Sequence, residues 1–262
     1  MKSFRLARFT GVAALALLSP GCVTMAPTQA PAPAPVRAAS PQPPAAQTLP
    51  TALQQLAALA PEADPRMLAS ALRARQCAIG HGEASPQARL AVIDYSMPST
   101  ARRLWVFDLE RPRLLYREYV AHGRNSGDNR ASRFSNEEGS MQSSLGLYRT
   151  AETYTGGNGY SLRMDGLDPG FNDRARERAI VMHGAWYVDP ALAAGQGRLG
   201  RSLGCPALRP GVASAVIDDL KQGQLLFAWY PDREWMARSR QLNCAPVAEA
   251  EPLPRRIHAM AN

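Results

Sequence analysis

RLAVIDYSMPSTARRLWVFDLERPRLLYREYVAHG, Arg89–Gly123, is the stretch that decides the fold. Three runs within it, RLAVIDYS, RRLWVFDLE and RLLYREYVAHG, are short and rich in Val, Ile, Leu and aromatic residues, with turn residues such as Pro98 and Pro112 between them. Such side chains suit a pleated, half-buried surface, and a period of two from Ala88 onward predicts strands. Toward the C terminus the signature recurs in GLYRTAETYTG (146–156), YSLRMDGL (160–167), RAIVMHGAWYV (178–188) and QLLFAWYP (224–231). One helix interrupts it, PGVASAVIDDLKQG (210–223): Pro210 suits the first turn, Val212, Val216 and Leu220 share a face, and Gly223 ends it. These elements predict a mostly β sandwich or barrel with a few short helices over 88–232. The tail, 233–262, reads as a short helix plus loop.

Upstream, residues 51–87 form a helical arm of two short helices broken by Pro61 and Pro65. Leu53, Leu56 and Leu59 mark one apolar face, and Met67, Leu68 and Leu72 the next. Residues 23–50 are almost only Ala, Pro, Gln, Ser and Thr, which cannot bury a core and read as an extended spacer. The first 22 residues read as an export signal: Lys2, Arg5 and Arg8, then the apolar run GVAALALL, then SPGC. That run falls well short of the roughly 20 apolar residues a membrane-spanning helix needs. Cys22 stands where a lipoprotein signal places its lipidated cysteine, so a periplasmic protein anchored to the outer membrane through Cys22 is expected.

The formal charge is +8, part of it in the signal segment, and no Lys/Arg block with interleaved aromatics occurs. This excludes nucleic acid as a partner and favours an anionic substrate or surface. There are four cysteines. With Cys22 assigned to processing the remainder is odd, so one thiol stays unpaired in an oxidising compartment. Cys77 and Cys244 lie on either side of the folded region and are expected to pair, leaving Cys205 free.

The chemistry concentrates in HGAWYVDPALAAGQGRLGRSLGCPAL, His183–Leu208. A Cys between Gly204 and Pro206 is unlike a core cysteine, which sits inside an apolar periodic run, and it is expected to face a cleft. The helix start downstream and Arg201 favour a thiolate there. A nucleophilic thiol needs a base, and His183, at the end of AIVMHG, is the best placed. His122 ends another strand and is a second candidate. Zinc-type ligand spacings are absent, so no metal or cofactor is expected. A serine elbow is also absent, since SLGCPAL carries Cys where that motif needs Ser.

At these residues, His183–Gly184 and Ser202–Leu203–Gly204–Cys205, the sequence resembles the L,D-transpeptidase (YkuD-like) catalytic-domain family of bacterial cell-wall enzymes, over roughly 88–232. It departs from the common pattern at Leu203, where a second His is usual, and at Pro206–Ala207–Leu208, as in a divergent SLGCPAL subgroup. The resemblance implies that Cys205 attacks a peptidoglycan tetrapeptide stem to form a thioester, which an amine then resolves. It implies His183 as the base, Ser202 or its carbonyl orienting the imidazole, and backbone N–H groups of Gly204 and Cys205 as the oxyanion site. Arg201, His122, Ser143, Ser144, Gly146 and Gly184 are expected to border the substrate, with Arg201 meeting a carboxylate. Two alternatives stay open: a cysteine peptidase using the same nucleophile with water, and a non-catalytic wall-binding lipoprotein.

Overall fold

The computed structural model describes residues 48–245. The signal segment with Cys22, nearly all of the Pro/Ala-rich tract and the end of the tail lie outside the described residues. The chain runs α1 (Leu49–Leu59), α2 (Pro65–Gly80), β1 (Leu90–Asp94), β2 (Leu104–Asp108), β3 (Arg113–Glu118), β4 (Gly146–Gly156), β5 (Gly159–Gly166) and β6 (Val181–Gly184). It continues through α3 (Pro190–Gln196), β7 (Ala207–Leu208), α4 (Pro210–Leu220), β8 (Leu225–Trp229) and α5 (Arg233–Arg238).

All strands lie in one sheet of order β3-β2-β1-β8-β4-β5-β6-β7. Neighbours are antiparallel except β1–β8 and β6–β7, which are parallel. The sheet nearly closes: Ala121, just past β3, bridges Ala207 in β7 at the other edge, and Gly123 bridges Ser202. The fold is therefore a mostly β, barrel-like sheet with a few helices. Closure removes the exposed edges of both outer strands near the rim, where unpaired backbone groups would otherwise face solvent.

Sequence periodicity is an incomplete guide to how the strands are covered. β1, β2 and β8 are buried at every position, so they read as continuous apolar runs instead of alternating ones. The cause is α2, which packs on β1, β4 and β8 as a layer of the core. Its start is fixed by Asp64, whose carboxylate accepts the Arg66 N–H at 2.8 Å, with Pro65 in the first turn. It buries Met67, Leu68, Ala71 and Leu72. In α4 the buried face is Ala213, Val216, Ile217 and Leu220, one step round from the expected one, leaving Val212 half-exposed.

The tail is tied down twice. Cys77 on α2 and Cys244 form a disulfide with a Cα–Cα distance of 5.8 Å. Asp168, fully buried, accepts from Trp235 Nε1 at 3.2 Å, Ser239 Oγ at 2.8 Å and the Gln241 N–H at 3.2 Å. A buried carboxylate survives when such donors surround it. Among the described residues no helix is long and apolar enough to cross a membrane.

Candidate active site

β6 and β7 pair in parallel with His183 opposite Ala207 and Gly184 opposite Leu208. Two residues earlier on each strand the same register puts Cys205 beside Val181, and the Val181 N–H does point at Cys205 Sγ, at 3.4 Å. In the other direction the thiol faces the Ala179 carbonyl at 3.8 Å. Cys205 itself lies in the bend before β7, and His183 stands two residues further along β6 from the Val181 whose N–H faces the thiol. Among the described residues Cys205 is the free cysteine.

The cysteine does not stand open to a cleft: it is only 8% exposed. The Pro206–Ala207–Leu208 continuation becomes a buried strand between β6 and the closing segment, and this draws the thiol into the rim. Burial pushes the thiol up from its ordinary pKa, opposed by the Val181 N–H and by the positive charge of Arg178. The helix start that follows in sequence is separated from the sulfur by β7.

His183 is buried, and its Nδ1 lies 3.0 Å from the Gly184 carbonyl oxygen. A carbonyl accepts only, so Nδ1 carries the proton and Nε2 is left as the basic nitrogen. Burial lowers the pKa of this imidazole, so it is neutral at neutral pH and able to take a proton. The group that orients the ring is thus the Gly184 carbonyl. Ser202 instead closes the turn that carries the cysteine, its Oγ donating to the Cys205 carbonyl at 2.7 Å and accepting the Gly204 N–H at 3.0 Å. Its carbonyl accepts the Arg124 N–H at 2.8 Å. Because the Gly204 N–H is committed to that hydroxyl, it is not free for an oxyanion. The Cys205 N–H instead stands by its own sulfur, where it favours the thiolate.

Gly204 itself is required by the backbone. Its φ is 129°, and a Cβ there would stand 2.8 Å from the Gln142 carbonyl oxygen and 2.9 Å from Ile180 Cδ1. Gly204→Ala is therefore expected to destabilise the protein by roughly 2 kcal/mol and to displace the Cys205 turn. Urea unfolding checks this, and an unchanged midpoint would show that the turn relaxes freely.

The remaining expected substrate residues are distributed differently. His122 is fully buried, and its Nδ1 takes a hydrogen bond from Arg103 at 2.7 Å. It serves the site through its backbone, whose carbonyl accepts the Ser202 N–H at 3.0 Å. Ser143 is buried and links the Gly123 N–H to the Gly204 carbonyl, both at 3.0 Å. Ser144 donates to the Ser135 carbonyl at 2.7 Å and meets Arg178. Gly146 opens β4, where its missing Cβ makes room for Asp168 and Asn172. Gly184 lies against Ala213 of α4. Arg201 Nη1 donates to the Gly127 carbonyl at 2.8 Å and the Arg124 carbonyl at 3.2 Å and lies 3.5 Å from Asp128, so it braces a loop through that nitrogen. The nearby Arg124 side chain is exposed and has no acidic partner among the described residues.

Two arginines carry the site without any motif to announce them. Arg178 clamps the 135–144 segment, and Arg103 holds the 120–122 segment from inside the core. Large apolar side chains near the cysteine turn and in the loop after β6 remain in solvent, Leu203 at 56% and Trp186 at 76% exposure. Among the described residues no cluster of His, Cys, Asp or Glu is arranged to hold a metal.

A family model described as the L,D-transpeptidase catalytic domain matches residues 59–229, from the end of α1 through β8. The chain belongs to this family. The matched span of this L,D-transpeptidase domain begins well before β1 and so includes α2, in keeping with the place of that helix in the core. Similar solved structures include an L,D-transpeptidase from Mycobacterium smegmatis, at 14% identity over 55% of this chain and 59% of that one, TM-score 0.35. Another is the helical cell shape determining protein of Campylobacter jejuni, at 12% identity over 62% and 57%, TM-score 0.38. A third is an L,D-transpeptidase from Stackebrandtia nassauensis, at 12% identity over 70% and 90%, TM-score 0.33. The chain thus spans 59% of the length of the Mycobacterium smegmatis protein. No curated protein matches it.

Proposed function

We propose that this chain is a cysteine-dependent L,D-transpeptidase acting on peptidoglycan tetrapeptide stems. The observation that carries the reading is an unbonded Cys205 whose sulfur faces the Val181 N–H of β6, the strand that also carries a neutral His183, inside a domain of the L,D-transpeptidase family. His183 Nε2 takes the thiol proton as Cys205 Sγ attacks the carbonyl of the diaminopimelate L-centre. The developing oxyanion is met by the Cys205 N–H. The bond to the terminal D-Ala then breaks, that amine leaves with the proton from His183, and a thioester remains. An amine from a second stem attacks the thioester, giving up a proton to His183 Nε2 as the amide forms, and the sulfur leaves as thiolate and takes that proton back from His183. Burial of the sulfur limits water at this stage, which favours the amine as acceptor.

The reading extends to the residues before the domain: export through 1–22, lipid attachment at Cys22 and a spacer giving about 3 Å of reach per residue in extended form. Membrane fractionation of Cys22→Ala tests this part, and retention in the membrane fraction would overturn it.

The test of the activity is incubation of the protein with a disaccharide-tetrapeptide, followed by intact-mass and muropeptide analysis. An adduct mapped to Cys205, with dimeric or exchanged stems, is the expected result. Trimmed stems alone would make it a peptidase, and absence of any reaction would favour a wall-binding role.

A further inference from the structure

Arg178 lies in the turn before β6, two residues ahead of Ile180 and immediately before Ala179. The Ala179 carbonyl and the Val181 N–H are the two backbone groups that face Cys205 Sγ. Ala179 holds a φ of 52°, a left-handed conformation that costs an L residue on the order of 1 kcal/mol. Something must hold the chain in that turn. Arg178 Nη1 donates to the Ser135 carbonyl at 2.7 Å and to Ser144 Oγ, and Nη2 donates to the Gln142 carbonyl at 2.8 Å and Ser140 Oγ at 3.1 Å. The segment so gripped is the one that closes over the cysteine turn. The Gln142 carbonyl lies against Gly204, and Ser143 Oγ donates to the Gly204 carbonyl at 3.0 Å.

We propose that Arg178 is the positioning residue of the cysteine site, its guanidinium locking the 135–144 segment over Gly204 while its charge sits one carbonyl removed from Gly204, the neighbour of Cys205. The two roles are separable. The planar fork matches several carbonyl and hydroxyl acceptors at once, which a lysine cannot do. The charge acts through space, since the sulfur and the guanidinium share a half-buried environment where an opposite charge is poorly screened. Other titratable groups around the cysteine turn are Tyr95 after β1, Tyr187 in the loop after β6 and His183, two residues from Val181 on β6, and burial holds both phenols and that imidazole in their neutral forms near neutral pH. Glu137 and Arg174 act on Arg178 from the solvent side with opposite signs. Among the described residues Arg178 is thus the cation available to favour the thiolate. The proposal deepens the cysteine-transferase reading.

The experiment measures the rate of iodoacetamide alkylation at Cys205 across pH, in the full chain, by mass mapping of the Cys205 peptide. Arg178→Gln is expected to move the midpoint upward and to slow alkylation near neutral pH roughly tenfold, the effect of losing one opposite charge nearby. Arg178→Lys keeps the charge and loses the fork, so its midpoint is expected to stay near wild type while the 135–144 segment becomes more open to protease. A role confined to folding would leave both midpoints unmoved. If Arg178→Gln alkylates with the wild-type midpoint, or if Arg178→Lys moves as far as a neutral residue does, the charge role is overturned. If Arg178→Gln does not fold, Arg178→Met takes its place as the neutral variant: an upward midpoint beside an unmoved Arg178→Lys keeps the charge role, and a wild-type midpoint overturns it. Alkylation needs no peptidoglycan, so a protein that alkylates as expected but forms no adduct with a stem would sink the transferase reading and leave this one standing.

Discussion

Cys205→Ala is expected to form no acyl adduct with a tetrapeptide stem and to lose exchange and crosslinking by roughly 10⁴-fold or more, the scale seen when a covalent nucleophile is removed. Folding should survive, because the substitution deletes a single sulfur atom that makes one N–H contact at 3.4 Å and one thiol contact at 3.8 Å. The variant's thermal midpoint should therefore stay close to wild type, and this separates chemistry from structure. The pH profile carries the second half of the argument. His183 must be neutral to accept the thiol proton, and burial lowers its pKa. The acid limb of kcat/KM is thus expected below the ordinary histidine value of about 6.5, activity falling only as pH drops through that lowered point. In His183→Gln that limb should vanish along with most of the rate. An acid limb at or above about 6.5 would mean the titrating base is exposed and is not this imidazole.

The residues of the proposed reaction are the most legible part of the chain. A Cys between Gly204 and Pro206, and a His closing an apolar run, break their local patterns, and broken patterns are where function shows in a sequence. What surrounds them is less legible because it is assembled across long separations. β7 is two residues long, below any periodic signal, yet its register, Ala207 opposite His183, brings the cysteine turn to β6. The parallel β1–β8 pair joins segments at opposite ends of the domain with no local cue. α3 does have one, Asp189 followed by Pro190, and the Asp189 carboxylate caps the Ala191 N–H at 2.8 Å. That cue is short and lies inside a loop-like run of small residues. His122, Arg201, Ser143 and Ser144 fall in the neighbourhood the sequence points to, and the structure shows each bracing the cysteine turn or the segments around it. Residue type and proximity in sequence cannot distinguish a side chain aimed at a substrate from one aimed at a backbone carbonyl.

Arg103→Met is expected to be the most damaging substitution outside the reacting groups. Arg103 is fully buried beneath the rim. Its Nη1 donates to the Met97 carbonyl at 2.8 Å, Nε and Nη2 donate to the Val120 carbonyl at 3.2 and 2.9 Å, and Nη2 also reaches His122 Nδ1 at 2.7 Å. Tyr95 covers the guanidinium, with 5.2 Å from its carbon to the ring centroid. Burial lowers the Arg103 pKa to about 10, so it remains charged at neutral pH. Methionine would fill much of the volume but leave two carbonyls and a ring nitrogen sealed without donors. At about 1–3 kcal/mol for each group, the loss should reach at least 3 kcal/mol, or roughly 6–12 °C in Tm for a domain of this size. Arg102→Met is the control: that neighbour is exposed and should change stability by no more than about 0.5 kcal/mol. Equal midpoints for the two variants would overturn this account.

The acid dependence of stability gives an independent reading of the same contact. His122 is held neutral, pushed down to about 3 first by burial and then by the Arg103 charge. Its contribution to stability is complete above the ordinary histidine value of about 6.5 and is lost as pH falls toward about 3, because the unfolded chain binds that proton first. Removing the Arg103 charge brings the folded and unfolded affinities closer, so stability in Arg103→Met should fall less steeply over that window. The consequence reaches the active site through three backbone bonds, from the Ala121 N–H to the Ala207 carbonyl at 2.9 Å, from the Ser202 N–H to the His122 carbonyl at 3.0 Å and from the Arg124 N–H to the Ser202 carbonyl at 2.8 Å. These hold the chain on both sides of Cys205, so loosening the buried arginine loosens the nucleophile, and kcat should fall in folded Arg103→Met protein while Arg102→Met retains it.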